Sequence, residues 1–164
     1  MLISPELREY RVDDWKAMWA LDVLCFEPVF RFSRRAMREF AEAADALTVL
    51  AEAEGELAGF CIVHLSERMG YVVTLDVAEA WRRRGLAQRL MAEVERQASN
   101  AGAVGMELHA FTGNAGAIRF YERIGYERVG TAENFYGPGL DALIYRKPLP
   151  SLGSEPISCS GVND

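Results

Sequence analysis

The stretch that most constrains this chain is Thr74-Leu-Asp-Val-Ala-Glu-Ala-Trp-Arg-Arg-Arg-Gly-Leu-Ala-Gln-Arg-Leu-Met91. A β-type run passes through a short loop into three arginines and a glycine that open an amphipathic helix. A helix start leaves backbone N–H groups without partners and carries partial positive charge, so Arg82, Arg83 and Arg84 are electrostatically misplaced there unless an anion offsets them. The segment reads as a polyphosphate-binding loop. Gly85 lets backbone approach such an anion closely, and Ala87 keeps the next turn small. The plainer alternative is a solvated charged turn in which Gly85 merely starts a helix, and the hexad alone leaves both open. Other phosphate-binding signatures fail: there is no G-x-x-x-x-G-K-[ST], and no G-x-G-x-x-G between a strand and a helix.

At 164 residues, half of them hydrophobic, the chain suits one domain over 1–149 with a sizeable core. The tail over 150–164, rich in Ser, Gly and Pro, is expected to be flexible. A formal charge of −6 and a pI near 5.1 argue against general nucleic-acid binding. The basic residues are almost all arginine, Lys16 and Lys147 being the only lysines. Cys25, Cys61 and Cys159 are widely spaced and odd in number, which suggests neither a disulfide framework nor a zinc site. No metal is expected. The N-terminus lacks the pattern of a signal peptide and no apolar run approaches the roughly 20 residues that span a bilayer, so a cytoplasmic protein without membrane contact is expected.

Asp13 is placed to cap a first helix through Trp15, Met18 and Trp19, and Ser33 a second through Met37, Phe40 and Ala44. The connection between them, Cys25 to Phe32, is aromatic, either packing over a ligand groove or joining the core. Strands over 47–53 and 57–64 flank Glu54-Gly55-Glu56 as a hairpin, and 71–77 adds another. The helix after Gly85 presents Leu86, Leu90, Met91, Val94 and Ala98 and stops near Asn100-Ala-Gly102. A strand over 106–110, a helix over 115–124 and closing strands over 126–129 and 142–146 complete the order.

Two motifs carry a resemblance. Arg82-x-x-Gly85-x-Ala87 resembles the acyl-CoA pyrophosphate loop of the GNAT N-acetyltransferases. Asn114-Ala-Gly-Ala-Ile-Arg-Phe-Tyr-Glu-Arg-Ile-Gly-Tyr126 is similar to that family's second segment, N-x-x-A-x-x-F/L-Y-x-x-x-G-F/Y. Together, in this order, they are far more specific than either alone, and the resemblance covers roughly 12–149. It implies an α/β fold (an α+β mixed sheet) with two N-terminal helices, an antiparallel meander and a splayed parallel strand pair forming the acyl-CoA slot. Within the family the ending Asn134-Phe-Tyr136 before Asp141-Ala142 most resembles the ribosomal-protein N-terminal alanine acetyltransferases, with Phe135 in place of a tyrosine.

The resemblance implies acetyl-CoA as co-substrate and direct transfer to an amine without a covalent intermediate. Main-chain groups of Leu75, Asp76 and Val77 would pair with pantetheine. The loop from Arg82 through Arg83, Arg84, Gly85 and Leu86 to Ala87 would take the pyrophosphate. Asn114, Ala117 and Tyr121 would line the arm, Asn114 also being a plausible helix cap. Tyr136 matches the general acid of the ribosomal subfamily, while Tyr121 matches a family tyrosine near the sulfur. As residues alone, Tyr121 also fits a core aromatic and Tyr136 a surface-loop aromatic. Five residues before Asn114, where the subfamily places a glutamate base, stands His109. Histidine can take a proton near neutrality. Glu107, two residues away on the same strand face, could orient the ring or be the base itself. His64 reads as a surface residue, and Glu27 and Glu79 as solvated charges.

A protein N-terminal α-amine is the favoured acceptor. Its pKa of about 7.7–8.0, against about 10.4 for lysine, needs only a weak base. A small-molecule amine is the alternative and would require an acidic pocket, for which Glu27, Glu67 and Glu133 are candidates. A third reading is a non-catalytic acyl-CoA-binding regulatory domain, which Tyr121 and Tyr136 disfavour.

Overall fold

The computed structural model describes residues 3–150; apart from Pro150, the expected flexible tail lies outside them. The chain begins with β1 (Glu6–Glu9), a strand too short and too charged to show a pattern in the sequence. It holds the sheet edge by pairing antiparallel with β2 (Ala46–Ala53), and Arg8 ties it to Glu52 at 2.6 Å and to Asp14 at 2.8 Å. Between β1 and β2 run α1 (Asp14–Cys25) and α2 (Arg34–Glu42). Asp13 does not cap α1. It sits at φ 69° without a capping bond, and the Asp14 carboxylate instead accepts the Arg11 N–H at 2.6 Å. Ser33 does cap α2, its Oγ accepting from Ala36 N at 3.0 Å.

The expected hairpin joins β2 to β3 (Glu56–Ser66), its two turn residues Glu54 and Gly55 both at positive φ, the geometry that matches strand twist. β4 (Met69–Val77) follows antiparallel, then α3 (Leu86–Asn100), β5 (Gly105–Phe111), α4 (Ala115–Arg123), β6 (Glu127–Gly137) and β7 (Leu140–Pro148). The seven strands lie in the order β1-β2-β3-β4-β5-β7-β6, with β4 and β5 the parallel pair. α3 buries Leu86, Leu90, Met91, Val94 and Ala98 on one face of the sheet. α1 and α2 bury Met18, Leu21 and Met37 on the other.

The parallel pair stays in register only over Met69↔Gly105, Gly70↔Met106 and Tyr71↔Glu107. Just beyond, Ile62 faces Thr74 while Val63 faces Val72, so Val73 is an extra residue on β4. Such a bulge bends its strand and shifts the side-chain alternation by one. Both effects are visible. β4 leaves β5 past Tyr71, and although Val72 packs in the core with α3, Asp76 lies beside Asp22 of α1. Without the bulge, positions 72 and 76 would share a face.

The closing strand expected over 126–129 is longer than the sequence pattern suggests. β6 extends to Gly137, and Asn134-Phe135-Tyr136 belongs to it, not to a loop. Pairing with β7 slips between Ala132 and Gly137, so the strand bows outward over these residues. Asn134, at φ 54°, is pinned there: its N–H donates to Asp141 Oδ1 and its Oδ1 accepts from Gly139 N, both at 2.8 Å.

Candidate active site

The diverging strands open a cavity of about 200 Å³. Its walls are Val72 to Leu75 of β4, Leu108 to Phe111 of β5, the α4 residues Ala117 and Tyr121, and Asn114 at the helix start. Phe26, Phe30 and Phe32 of the α1–α2 connection close it from above, so the aromatic linker covers a groove. Tyr136 enters from β6, its ring 5.1 Å from Phe30 and edge-on to Phe111. The Asn134–Asp141 knot is what aims it there. Past Tyr71 the β4 edge has no ladder partner in β5, which leaves main chain around Leu75 and Asp76 bordering the slot. The Val77 carbonyl is taken by Arg82 Nε at 3.0 Å and by the Cys25 thiol at 3.5 Å.

The groove continues past Ala87, Asn114 and Ala117 to the start of α3. Gly85 precedes that helix at φ 78°, a left-handed conformation that glycine adopts at least cost. The N–H groups of Leu86, Ala87 and Gln88 stand in the first turn, where no helical acceptor precedes them; Arg89 N is the first to bond back, to the Gly85 carbonyl. The Leu86 side chain is buried in the core, so only its main chain can serve a ligand. Arg82 is bonded to Val77, Arg84 lies over the Trp81 ring at 5.1 Å, and Arg83 adopts φ 61°. Arg119 and Arg123 of α4 line the same recess, which the sequence pattern did not single out although their i, i+4 spacing places both on one helix face. Asn114 caps α4, its Oδ1 accepting from Ala117 N at 3.1 Å, and its amide NH2 has no partner among the described residues.

His109 lines the cavity, whereas Glu107, the candidate orienting group or alternative base, does not. The Glu107 carboxylate is bonded to Arg146 at 2.7 Å. The partner of the imidazole is Tyr71, whose Oη lies 2.9 Å from His109 Nδ1, while Phe135 stacks on the ring at 4.1 Å between centroids and 7° between planes. Glu107 therefore does not orient the ring, and it acts on it only through the field of its charge. Burial lowers the pKa of His109, and that field partly opposes the shift. Tyr71 was missed because a tyrosine in an apolar strand reads as packing; only its position at the last paired residue of β4 distinguishes it. Burial, with Tyr71 nearby, pushes Tyr136 up to about 12, and burial raises Tyr121 as well. Neither hydroxyl has a partner among the described residues. His64 is not a free surface residue: its Nε2 lies 2.9 Å from the Phe40 carbonyl, joining β3 to α2.

No carboxylate lines the cavity. Glu27, Glu67 and Glu133 all lie outside it, and the described residues contain no group of three or more His, Cys, Asp or Glu able to hold a metal ion. No helix among them is long and apolar enough to cross a membrane.

A mixed sheet splayed at one parallel pair, with an anion-type helix start at the mouth of the gap, defines a class of protein. Residues 15–126 match the acetyltransferase (GNAT) family, and the chain belongs to it. It is 31% identical over 83 residues to an N-alpha-acetyltransferase of Saccharolobus solfataricus, covering 50% of each chain. It is 28% identical over 118 residues to the N-alpha-acetyltransferase MAK3 of Arabidopsis thaliana, covering 66% of this chain and 62% of that one. The chain thus spans about half the length of the first relative and less than two thirds of the second. Its structure matches the ribosomal-protein-S18-alanine N-acetyltransferase from Escherichia coli with a TM-score of 0.81 at 19% identity, over 92% of this chain and 97% of that one. That likeness is one of fold.

Proposed function

We propose that the protein transfers an acetyl group from acetyl-CoA to a protein N-terminal α-amine. The observation that carries this reading is the cavity in the splay of β4 and β5, which gathers His109, Tyr121 and Tyr136 without a single carboxylate. A small polyamine-like acceptor, cationic in solution, would have to be desolvated there with no counter-charge. An α-amine, which is partly neutral at pH 7 to 8, enters at far lower cost. The Phe30 and Phe32 wall suits an apolar first side chain beside that amine. Pyrophosphate fits the free N–H groups of Leu86 to Gln88, and pantetheine fits the unpaired edge of β4.

In the reaction the neutral amine attacks the thioester carbonyl carbon, an oxyanion forms, and the carbon–sulfur bond breaks to release the CoA thiolate. His109, neutral because burial lowers its pKa, takes the amine proton directly or through a water. Main-chain N–H groups at the β4 edge face the oxyanion. Tyr136 at about 12 keeps its proton throughout the neutral range, and it donates a hydrogen bond to the departing sulfur. A thiol titrates near 8.5, so complete transfer from Tyr136 is uphill, and the proton released by the amine restores the balance. The two free thiols among the described residues, Cys25 and Cys61, accord with a reducing cytoplasm.

The test is thiol release from acetyl-CoA with a panel of N-terminal peptides that includes alanine-first and apolar-first members, run beside N-blocked lysine peptides and small amines. Turnover confined to free N-termini is expected. Preferential turnover of lysine or small amines would refute the acceptor assignment, and no release with any acceptor would favour the regulatory domain.

A further inference from the structure

Asp22 of α1 and Asp76 of β4 are both fully buried, at 0% and 1% exposure, and their carboxyls meet across the sheet face that β4's bulge creates. One oxygen of each is accounted for: Asp22 Oδ2 accepts the Phe32 N–H at 2.9 Å, and Asp76 Oδ1 accepts the Thr74 hydroxyl at 2.6 Å. The other two, Asp22 Oδ1 and Asp76 Oδ2, are buried with no partner among the described residues. Two adjacent carboxylates cannot both stay ionised out of water. A single proton settles the seam, because it turns one orphan oxygen into a donor and gives the other something to accept. Two protons would waste the anion-favouring surroundings, since Phe32 N–H, the Thr74 hydroxyl and the charges of Arg31 and Arg82 all favour one remaining negative charge.

We infer that Asp22 and Asp76 share one proton in a carboxylic acid–carboxylate hydrogen bond that clamps the α1–α2 segment onto β4 and holds the acyl-CoA slot at its width. Asp22 fixes Phe32, part of the aromatic wall, whereas Asp76 belongs to the Leu75–Val77 edge that borders the slot. The clamp therefore joins the acceptor side to the donor side, and both residues are positioning residues. The other titratable groups facing the pair are the Cys25 and Cys61 thiols and the Tyr121 phenol, all held neutral by burial, and the two arginines, always charged. The shared proton is the one that leaves as pH rises. A free aspartate titrates near 3.9 and the pair above that. The stabilisation is lost as pH climbs through the pair's folded value, where the shared proton leaves and two negative charges face each other out of water.

The experiment is carboxyl-detected NMR of the full chain across pH, with calorimetric acetyl-CoA affinity at the same steps for wild type and Asp22→Asn. The Asp22 and Asp76 carboxyl signals are expected to titrate together, well above the usual carboxylate range. Over that interval the Kd of wild type should rise roughly tenfold, the lower end of what one charge-assisted hydrogen bond contributes. Asp22→Asn supplies a permanent N–H donor to Asp76 and keeps an oxygen for Phe32, so it should match wild-type affinity at the lower-pH end of that interval and show no weakening across it. Titration of the coenzyme's own groups cancels in the comparison. Independent titration of both carboxyls near 4, or equal weakening of Asp22→Asn over the same interval, overturns the clamp. The affinity arm rests on the proposed acetyl-CoA binding, whereas the NMR arm needs no ligand, so failure of one idea is distinguishable from failure of the other.

Discussion

Tyr71→Phe removes one oxygen atom and leaves the ring that packs in β4. What it deletes is the 2.9 Å contact with His109 Nδ1. For Nε2 to serve as the base its lone pair must be free, so in the proposed mechanism Nδ1 carries the proton and Tyr71 Oη accepts it; this tautomer follows from the base role given to Nε2. A hydrogen bond of this kind contributes about 0.5–1.5 kcal/mol, which corresponds to a fall of about 2- to 13-fold in kcat/KM. Stacking on Phe135 keeps the ring in place, which is why the loss stays modest. An acceptor at Nδ1 also favours the imidazolium, so its removal should move the ascending limb of the pH profile to lower pH. Steady-state kinetics across pH 5.5–9 with peptides of different amine pKa separate this limb from that of the acceptor. Unchanged rate and profile would refute the orienting role, and a fall beyond about 100-fold would mean that Tyr71 itself handles a reacting proton. His109→Gln should abolish the limb altogether.

Tyr136→Phe should lower kcat by about 10- to 150-fold if the phenol acts as a hydrogen-bond donor to sulfur, and by ~10²–10⁴ if it is a full general acid, with acetyl-CoA affinity little changed. Survival of activity in that variant, with collapse in Tyr121→Phe, reverses the two roles. Gly85→Val forces a β-branched residue to φ 78°, where an L side chain costs about 1–2 kcal/mol, so acetyl-CoA Kd should rise about 5- to 30-fold while Gly85→Asn stays near wild type. The absence of any atom within 4 Å of a Cβ at Gly85 makes this a test of backbone conformation alone, and equal calorimetric affinities for all three proteins would remove the loop assignment. Arg83→Ala should have a smaller effect that shrinks as salt is raised.

The local chemistry of the loop and of α4 was legible in the sequence because it is written in neighbouring residues. A glycine before a helix, an asparagine cap and an apolar 3.6-residue period each depend on atoms only a few positions apart, and Gly85, Asn114 and the α3 face stand where that pattern put them. The hairpin at Glu54-Gly55 was legible for the same reason. What the sequence alone did not decide involves contacts between distant segments. β1 is four residues held by Arg8 and by β2, some 40 positions on. The bulge at Val73 appears only when β4 is laid against β3, yet it reverses the strand's faces, turns Asp76 toward Asp22 and starts the splay. The length of β6 depends on the Asn134–Asp141 knot, which sends Tyr136 into the cavity and Phe135 onto His109. The partner of His109 was settled in the same way. Glu107 was nearer in the chain, but Arg146 on the neighbouring strand captures it, and Tyr71 reaches the imidazole across the last pair before the strands part.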